Sequence, residues 1–583
     1  MLFPCRFLFI VMLFAGVLSG CEPPPEEEAG QASGAADSPV LAQHGMVVSA
    51  HPLASEIGLD VLRDGGNAFE AAIAVKYALA VVYPVAGNIG GGGFMVYRTD
   101  EGDIGSLDFR ETAPAAAFDD MYVDEETGEP VENLSRLGHL AAGVPGTVEG
   151  MDQIYQRYGQ LPFKRLIQPA IDLAEDGHEL TEFNAAQLNR AQEDFRAANL
   201  YEMPLLREEE WQAGEQLRFP DLAATLTRIR EFGRAGFYEG RTAGLIAEEM
   251  QRGGGIITLE DLAGYEAVWR EAIGVEYGSY QIYSMPPSSS GGVAVGQLIT
   301  GSAAYDFPEM GHNTPESIHL MTELMRRVYA DRATHLGDMD YYDVPLEMLL
   351  NPDYIRERNA DIRMDEATPS TNIKEGNVER IESFETTHFS IVDAQGNAVS
   401  ITTTVNSYFG SNVMVEGAGF FLNNEMDDFS IQPGVPNQFG LVGGEANAIA
   451  GGKRMLSSMS PSIIEKDGNL FMVLGTPGGS TIITNVYQVM MNVLAYDMSL
   501  QEAVDAPKMH AQWLPDVITL EEGALDDAGK EQLEALGHEL REIPQIGRMQ
   551  AIRIHQADEA GAGRQLEGVA DITRTGDSAA RGF

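Results

Sequence analysis

Apolar and polar positions follow two different periods along this chain. Residues 67–82 are almost continuously apolar after an Asp-Gly-Gly turn, which predicts a buried helix. Residues 147–250 and 314–335 show the three-to-four-residue spacing of helices. Pairs of short apolar runs, joined by turns rich in Gly, Asp and Asn, predict antiparallel hairpins at 94–109, 389–405 and 462–474. Hairpins combined with many helices favour a layered α+β architecture.

The N-terminus has a pattern of its own. Arg6 is followed by an apolar run that ends at Leu18, too short to span a bilayer comfortably and typical of a signal peptide. The run leads into Leu18-Ser-Gly-Cys21, which resembles the lipobox of bacterial lipoproteins and implies cleavage of residues 1–20 and acylation of Cys21. The alternative is an ordinary signal peptide with an incidental cysteine.

Residues 21–43 are rich in Pro, Glu, Ala and Gly, and we expect them to be a disordered acidic tether. The folded body is expected to begin near Val40. The signal peptide predicts an exported protein, and the lipobox resemblance implies that it lies on the periplasmic side, held to a bacterial membrane only through a lipid anchor.

Composition excludes several classes of function. The 583 residues include 88 Asp and Glu against 38 Lys and Arg, and the formal charge of -50 argues against a nucleic-acid partner. Only seven of the basic residues are lysines. Both cysteines lie within the first 21 residues, and the eleven histidines form no H-E-x-x-H pair. We therefore expect neither a metal nor another cofactor.

Several polar segments could carry chemistry, although each also has a plain structural interpretation. Gly475–Ser480 lies between a predicted strand and a predicted helix, so its backbone N–H groups could hold an oxyanion or could simply make a tight turn. Arg110 could clamp a carboxylate or form a surface ion pair. Asn423–Phe429 suits an ammonium group or is an acidic turn. The glycines of Asn88–Phe94 precede a strand instead of following one, which excludes a dinucleotide loop.

Taken together, these segments resemble the γ-glutamyltransferases (glutathione hydrolases), which are N-terminal-nucleophile hydrolases. The resemblance extends from about residue 44 to the C-terminus. It is carried, in order, by Gly90–Phe94, Asp108–Pro114, Gly143–Thr147, Pro286–Gly292, Leu336–Asp338, Thr386–Asp393, Thr404–Asn406, Asn423–Phe429, Ser457–Pro461 and Gly475–Ser480. It implies a four-layer αββα sandwich, one body shared by two autoproteolytic subunits.

The resemblance implies a zymogen that cleaves itself between Glu385 and Thr386. The Thr386 hydroxyl would attack the Glu385 carbonyl, and hydrolysis of the resulting ester would free the Thr386 amine. The products would be a large α subunit, residues 44–385 after the tether, and a small β subunit, residues 386–583. A free α-amine has a pKa of about 7.7–8.0, so it can act as the base for its own hydroxyl near neutrality.

The resemblance also implies roles for individual residues. The nucleophile would take the γ-glutamyl group from glutathione or another donor and pass it to water or to an amino-acid or dipeptide acceptor. The catalytic residues, which attack, orient the nucleophile and bind the oxyanion, would be Thr386, Thr404, Gly478 and Gly479. The residues that bind the donor's α-carboxylate would be Arg110, Ser457 and Ser458. Those that bind its α-ammonium would be Asn406, Glu425 and Asp428.

Two departures from the family pattern are visible. Phe439 lies in a segment, 433–440, that aligns with a lid loop in which many bacterial members have a tyrosine, and a phenylalanine cannot donate that tyrosine's hydrogen bond to Asn406. Ala570–Arg574 only partly keeps the family's Asp-Pro-Arg ending, and we assign it no role. The competing hypotheses are a related acylase, a poly-γ-glutamate transpeptidase of the same fold, or a non-catalytic lipoprotein that binds γ-glutamyl compounds.

Overall fold

Two seven-stranded sheets lie face to face in this protein, and the strands within each pair antiparallel. The structure, a computed structural model, describes residues 38–373, 386–432, 434–556 and 563–583. The signal peptide, most of the tether, Cys21 and Glu385 lie outside the described residues. Within the described ranges, no helix combines the length and the apolar character needed to cross a membrane.

The strands in chain order are β1 (Val40–Ala42), β2 (Met46–Ser49), β3 (Gly92–Arg98), β4 (Ile104–Phe109), β5 (His178–Glu179), β6 (Gln216–Leu217), β7 (Val268–Arg270), β8 (Ile273–Tyr277), β9 (Tyr280–Ser284), β10 (Thr387–Val392), β11 (Ala398–Thr404), β12 (Ser462–Lys466), β13 (Asn469–Gly475), β14 (Met509–Ala511), β15 (Ile518–Glu521), β16 (Leu540–Ile543), β17 (Gln550–His555), β18 (Gln565–Ala570) and β19 (Ala579–Gly582). Sheet I has the order β19-β2-β10-β11-β3-β4-β7, and sheet II the order β1-β18-β17-β13-β12-β9-β8.

The α-helices are α1 (Pro52–Arg63), α2 (Ala68–Val82), α3 (Thr147–Tyr158), α4 (Phe163–Asp176), α5 (Glu182–Arg190), α6 (Gln192–Ala198), α7 (Pro220–Phe232), α8 (Ala235–Tyr238), α9 (Gly240–Gly253), α10 (Leu259–Gly264), α11 (Gly291–Ser302), α12 (Phe307–Met310), α13 (Pro315–His335), α14 (Leu346–Leu349), α15 (Pro352–Arg358), α16 (Thr481–Leu494), α17 (Leu500–Asp505) and α18 (Asp527–Ala535). Short 3-10 helices span His139–Ala141, Ser370–Ile373, Glu425–Asp428 and Glu445–Asn447.

The helices cover the outer faces of the two sheets. Sheet I packs against α1 and α2, while α11, α16 and α17 pack against sheet II, so the layers follow the order αββα. The side chains of β10 show how the layers are divided. Phe389 and Ile391 join the core that contains α2, and Ser390 Oγ donates to Gln550 O of sheet II at 3.2 Å. The predicted α+β sandwich is confirmed.

The predicted hairpins and helices are also present. The hairpins are β3–β4, β10–β11 and β12–β13, and α2 begins after an Asn67 cap whose side chain accepts from Glu70 N. That cap lies one residue after the Asp-Gly-Gly turn, and all of α2 is buried. The long helical spans of the large segment are α3 to α9 and α13.

Strands from both sides of residue 386 build each sheet. In sheet I, β10 pairs with β2 on one side and with β11 on the other, and β11 pairs with β3. Sheet II likewise places β9 beside β12. A cut at residue 386 would therefore divide the chain without dividing the two cores.

We predict that Gly475→Ala destabilises the protein, because β13 approaches β10 closely at this point. A Cβ at Gly475 would lie 2.4 Å from Cε1 of His388, whose ring nitrogens are 2.9 Å from Thr402 Oγ1 and 3.0 Å from Ser390 Oγ. Overpacking of this kind costs about 1–3 kcal/mol. The free energy of unfolding should fall accordingly in denaturant titrations. Gly264→Ala, at the end of α10, is the matched control, because a Cβ added there would meet no neighbouring atom within 4 Å. Equal stability of the two variants would contradict the prediction.

Candidate active site

Thr386 lies at the point where the two central strands of sheet I end. Within β10 and β11, Thr387 is opposite Thr403, so the same antiparallel register brings Thr386 beside Thr404. Because side chains alternate along a strand, Thr386 belongs to the face that carries His388 and Ser390, between the sheets. Thr386 is only 5% exposed. The strand pairing thus holds a hydroxyl at the rim of the inter-sheet space.

The turn between β13 and α16 presents backbone N–H groups at the same place. Gly478 and Gly479 have φ values of +144° and +53°, and a Cβ at Gly478 would lie 2.5 Å from Thr481 Oγ1, so this turn requires glycine there. Among the described residues, no acceptor receives either amide N–H. Two unused donors at the N-terminus of a 14-residue helix favour a negatively charged ligand.

A buried cluster of one cation and several carboxylates lies next to the nucleophile. Arg110, which follows β4 and is 1% exposed, has Nη1 2.7 Å from Glu425 Oε2 and Nη2 2.5 Å from Asp428 Oδ2. Glu111 Oε2 is 3.7 Å from Nη1. The cation predicted to bind a carboxylate is thus in direct contact with the acids predicted to bind an ammonium group. The two halves form one ion-paired cluster.

Burial dominates the pKa values in this cluster. Desolvation raises the pKa of Glu425 well above its usual range, raises that of Asp428, and raises that of Glu111 to about 7, with Arg110 opposing each shift. Desolvation works against the charge of Arg110, but the attraction of Glu425, Glu111 and Asp428 outweighs it and raises the pKa of Arg110. One guanidinium is therefore shared by three carboxyl groups. Their oxygens could also accept hydrogen bonds from an incoming ammonium ion.

Hydrogen bonds fix the residues on either side of the cluster. The Thr404 hydroxyl accepts from Asn406 N at 2.7 Å, and its hydrogen bond to Glu425 lowers the pKa of that carboxyl against the burial effect. Asn406 has a φ of +73°, and its Nδ2 donates to Asn424 O at 3.0 Å. Thr404 thus connects the strand beside the nucleophile to the acid cluster.

The Ser457-Ser458 pair is held by a segment from the large part of the chain. Ser457 N donates to Ser288 O at 2.9 Å, and Ser457 O accepts from Ser290 N and Oγ at 2.8 and 2.7 Å. Arg332 on α13 donates from Nη2 to Ser458 Oγ at 3.3 Å. Burial lowers the pKa of Arg332 to about 10. The predicted serines therefore lie beside a second buried guanidinium.

These residues converge on one narrow cavity. Of the ten residues proposed from the sequence for catalysis and donor binding, eight line it: Arg110, Thr386, Thr404, Asn406, Asp428, Ser457, Ser458 and Gly479. Glu425 contacts Arg110 from behind, and Gly478 precedes Gly479. Phe439 and Leu441 also line it. The volume is about 20 Å³, which is room for one or two water molecules, so a larger ligand requires lining side chains to move.

Some residues that shape the site are not apparent from the sequence motifs. Lys76 is completely buried in α2, and its Nζ donates to Gly87 O at 2.6 Å, Asn88 O at 2.9 Å and Thr403 Oγ1 at 2.9 Å. Burial lowers its pKa to about 7. A single lysine inside an apolar helical run is the signal that could have revealed it. Arg332 gave no comparable signal in the sequence.

The part of the chain that the structure describes contains no group of three or more His, Cys, Asp or Glu side chains arranged to hold a metal ion.

Comparison with known proteins identifies the family. The sequence model described as Gamma-glutamyltranspeptidase matches residues 54–581. The chain belongs to the gamma-glutamyltranspeptidase family. One relative, a glutathione hydrolase proenzyme of Escherichia coli strain K12, is 42% identical over 541 residues and is aligned over 92% of each chain. Another, a glutathione hydrolase proenzyme of Pseudomonas sp. strain A14, is 46% identical over 505 residues, which is 86% of this chain and 88% of that one.

Solved structures extend the family likeness to the fold. Cephalosporin acylase from Bacillus halodurans superposes with a TM-score of 0.81 at 25% identity, over 96% of this chain and 99% of that one. Helicobacter pylori gamma-glutamyltranspeptidase gives a TM-score of 0.54 at 44% identity, over 56% of this chain and 94% of that one. The family predicted from the motifs is confirmed, and the cephalosporin acylase shares the same architecture.

We predict that Arg110→Gln destabilises this gamma-glutamyltranspeptidase family member in a pH-dependent way. Removing the cation leaves buried Glu425 and Asp428 without their partner, which costs about 3–5 kcal/mol if both stay ionised. In the variant their pKa values would exceed those of the unfolded chain, so the folded state would bind more protons than the unfolded state. Stability would then fall as the pH rises.

Thermal unfolding at pH 5 and pH 8 measures this effect. The melting temperature of Arg110→Gln, relative to the unsubstituted protein, should drop more at pH 8 than at pH 5. Adding Asp428→Asn should recover part of the loss. Arg241→Gln, which removes a 62%-exposed arginine, is the control for a missing surface charge. An equal drop at both pH values would mean that the cluster does not depend on Arg110 for its charge balance.

Proposed function

We propose that this protein is a γ-glutamyltransferase and glutathione hydrolase with Thr386 as its N-terminal nucleophile. The observation that carries the proposal is the single cavity in which Thr386 meets Gly479 on one side and the Arg110–Asp428 pair on another. Relatives named glutathione hydrolase proenzyme support both the activity and synthesis as a precursor. γ-Glutamyl donors carry an α-carboxylate and an α-ammonium group, for which this cavity has complementary charges.

The proposed reaction follows from the positions of these groups. The α-amine of Thr386 takes the proton of its own hydroxyl while Oγ attacks the γ-carbonyl carbon of the donor. The Gly478 and Gly479 N–H groups bind the oxyanion. The tetrahedral intermediate collapses to an ester, and the leaving amine takes the proton from the Thr386 amine. Water or the amine of an amino acid or dipeptide then attacks the ester in the same way and restores the free hydroxyl.

The α-amine exists only after cleavage between Glu385 and Thr386, so we propose that residues up to Glu385 and residues from Thr386 onward form the large and small subunits. A threonine inside a chain has an amide nitrogen, which cannot act as a base. The interleaving of β10 and β11 between β2 and β3 supports a heterodimer that remains associated after the cut.

An acylase is the second candidate, because acylase ACY 1 proenzymes of Pseudomonas sp. are 36% identical to this chain over 88% of its length. The buried Arg110 cluster supports the γ-glutamyl donor instead. An acyl chain without an α-ammonium group would leave Glu425 and Asp428 with Arg110 as their shared cation and no ammonium partner. Comparing a γ-glutamyl anilide with the matching glutaryl anilide, which lacks only the α-ammonium group, separates the two. Equal rates would favour the acylase.

We predict that Thr386→Ala abolishes both cleavage and turnover, because both steps need the Oγ. Thr386→Ser keeps a hydroxyl and should retain both, at reduced rates. Denaturing intact mass spectrometry of the purified exported protein, combined with an assay on glutathione, measures the two effects. The unsubstituted protein should give a fragment that begins at Thr386. If the unsubstituted protein were folded but neither cleaved nor active, the result would favour the hypothesis of a non-catalytic lipoprotein that binds γ-glutamyl compounds.

We also propose that Cys21 is acylated and anchors the protein on the periplasmic side of a bacterial membrane. The proposal is supported by the lipobox-like Leu18-Ser-Gly-Cys21 and the acidic segment that follows it. Cys21→Ser should move the protein from the membrane fraction to the soluble fraction without changing its activity. Mass spectrometry of the mature N-terminus is the direct readout, and an unmodified Cys21 would show an ordinary signal peptide.

A further inference from the structure

A buried arginine behind the serine pair at 457–458 has no carboxylate partner in the part of the chain that the structure describes. Arg332, in the last turn of α13, is 5% exposed, and no described carboxylate oxygen lies within 4.0 Å of its guanidinium nitrogens. Two other buried arginines of α13 differ, because Arg326 and Arg327 contact the carboxylate of Glu323 at 3.0 and 2.7 Å. Since buried cations in proteins are normally paired, an unpaired one next to the nucleophile's cavity is a candidate partner for an anion.

Two serine hydroxyls connect this guanidinium to the cavity. Arg332 Nε donates to Ser290 Oγ at 3.0 Å, and Ser290 Oγ in turn donates to Ser457 O at 2.7 Å. Arg332 Nη2 donates to Ser458 Oγ at 3.3 Å. Ser458 lines the cavity, and its hydroxyl donates to no residue that the structure describes. A hydroxyl that accepts from a guanidinium directs its own O–H elsewhere, so Ser458 can offer that hydrogen to a ligand in the cavity.

The charge of Arg332 matters because Arg110 is already neutralised. The carboxyl groups of Glu111, Glu425 and Asp428 share the Arg110 guanidinium. An anionic group that met this cluster alone would add negative charge to a buried site without a surplus of positive charge. The guanidinium of Arg332 supplies the positive charge that the cluster lacks.

Arg332 remains charged in its buried position. Burial lowers its pKa to about 10, Tyr329 and Asp428 raise it, and Arg110 lowers it. A pKa of about 10 leaves the guanidinium protonated at neutral pH. The influence of Asp428 and Arg110 places Arg332 in the same electrostatic environment as the Arg110 cluster.

We propose that Arg332 is a positioning residue that supplies the uncompensated positive charge for the donor's α-carboxylate and acts on it through Ser458. The inference rests on the proposed function, since it concerns the same γ-glutamyl donor. Ser458 donates its hydroxyl hydrogen to the carboxylate while it accepts from Arg332 Nη2, so the guanidinium strengthens that hydrogen bond without contacting the donor. Arg332 thereby selects a carboxylate over a neutral group of the same size at this point.

The test compares a γ-glutamyl anilide with the analogue whose α-carboxylate is replaced by a carboxamide, using the variant Arg332→Gln. Loss of the charge should raise KM for the carboxylate donor and affect the carboxamide much less. The ratio of the two kcat/KM values, carboxylate to carboxamide, should therefore fall about tenfold, as expected for loss of a charge-assisted hydrogen bond. A purely structural role would lower both values alike, and an unchanged ratio would overturn the proposal. Arg332→Met, which also lacks the charge, takes the place of Arg332→Gln if the latter does not fold.

Two further variants make the result specific. Arg332→Lys keeps a positive charge without the planar fork, so its ratio should lie between those of the unsubstituted protein and Arg332→Gln. Arg327→Gln is the matched control, because it removes another buried arginine of α13 whose guanidinium contacts Glu323 and Asp361. This control should leave the ratio unchanged even if it destabilises the protein. An equal fall of the ratio in Arg327→Gln would assign the effect to the helix and overturn the proposal.

Calorimetric binding gives a readout that needs no turnover. L-Glutamate carries both charged groups of the donor, whereas isoglutamine, its α-carboxamide, lacks only the α-carboxylate charge. The preference for L-glutamate, measured as the ratio of the two Kd values, should fall about tenfold in Arg332→Gln. Such a fall without γ-glutamyl turnover would contradict only the proposed function, while turnover with a preference independent of Arg332 would overturn only the inference. If the unsubstituted protein showed no preference for the carboxylate in either assay, the inference would be overturned as well.

Discussion

The pairing of β10 with β2 and β11 is the constraint on which the rest of the site depends. It fixes where the first residue after the proposed cut can lie, because Thr386 continues a strand that is hydrogen-bonded on both sides. A newly formed N-terminus elsewhere on the surface would be free to fray. Here it is confined at the rim of two stacked sheets, and the glycine N–H groups of the β13–α16 turn come from the facing sheet. Sheet stacking therefore fixes the position of Thr386, and the segments that follow the strands bring the other lining residues to it.

The charged cluster around Arg110 contributes selectivity more than stability. Three carboxyl groups share one buried guanidinium, and the desolvation of each group opposes the gain from pairing. A well-packed apolar replacement would be expected to hold the fold at least as well. What the cluster supplies, under the proposed function, is a set of charges already oriented before a ligand arrives, so a zwitterionic end group would not have to reorganise the cluster itself even though lining side chains must move to admit it. The hydrogen bond from Asn437 Nδ2 to Asp428 Oδ1 at 3.0 Å also connects this cluster to the segment that closes the cavity.

The sequence was sufficient for the local elements and insufficient for their long-range pairing. The turn residues between β3 and β4, between β10 and β11, and between β12 and β13 marked each hairpin, because hairpin pairing is local. The edge strands β1 and β19, and the insertion of β10 beside β2, join residues hundreds of positions apart, which no local pattern encodes. The same distinction applies to the site. The family motifs marked most of the residues that line the cavity, whereas the places of Lys76 and Arg332 depend on packing between distant segments. The contact of Arg110 with Glu425 and Asp428 likewise appears only when the two segments are folded together.

The distribution of lysines has a chemical consequence for an enzyme that transfers acyl groups to amines. Lys76, Lys453 and Lys508 are buried, and each Nζ donates to backbone carbonyl oxygens. Lys530 is held by Glu542 at 2.8 Å, and among the described lysines only Lys164 and Lys466 are exposed. The protein therefore offers very few primary amines of its own on its surface. A catalyst whose covalent intermediate is an ester open to attack by amines thus has few lysines that the intermediate of a neighbouring copy could acylate. Its basic surface residues are mostly arginines, whose guanidinium groups stay protonated and do not attack esters.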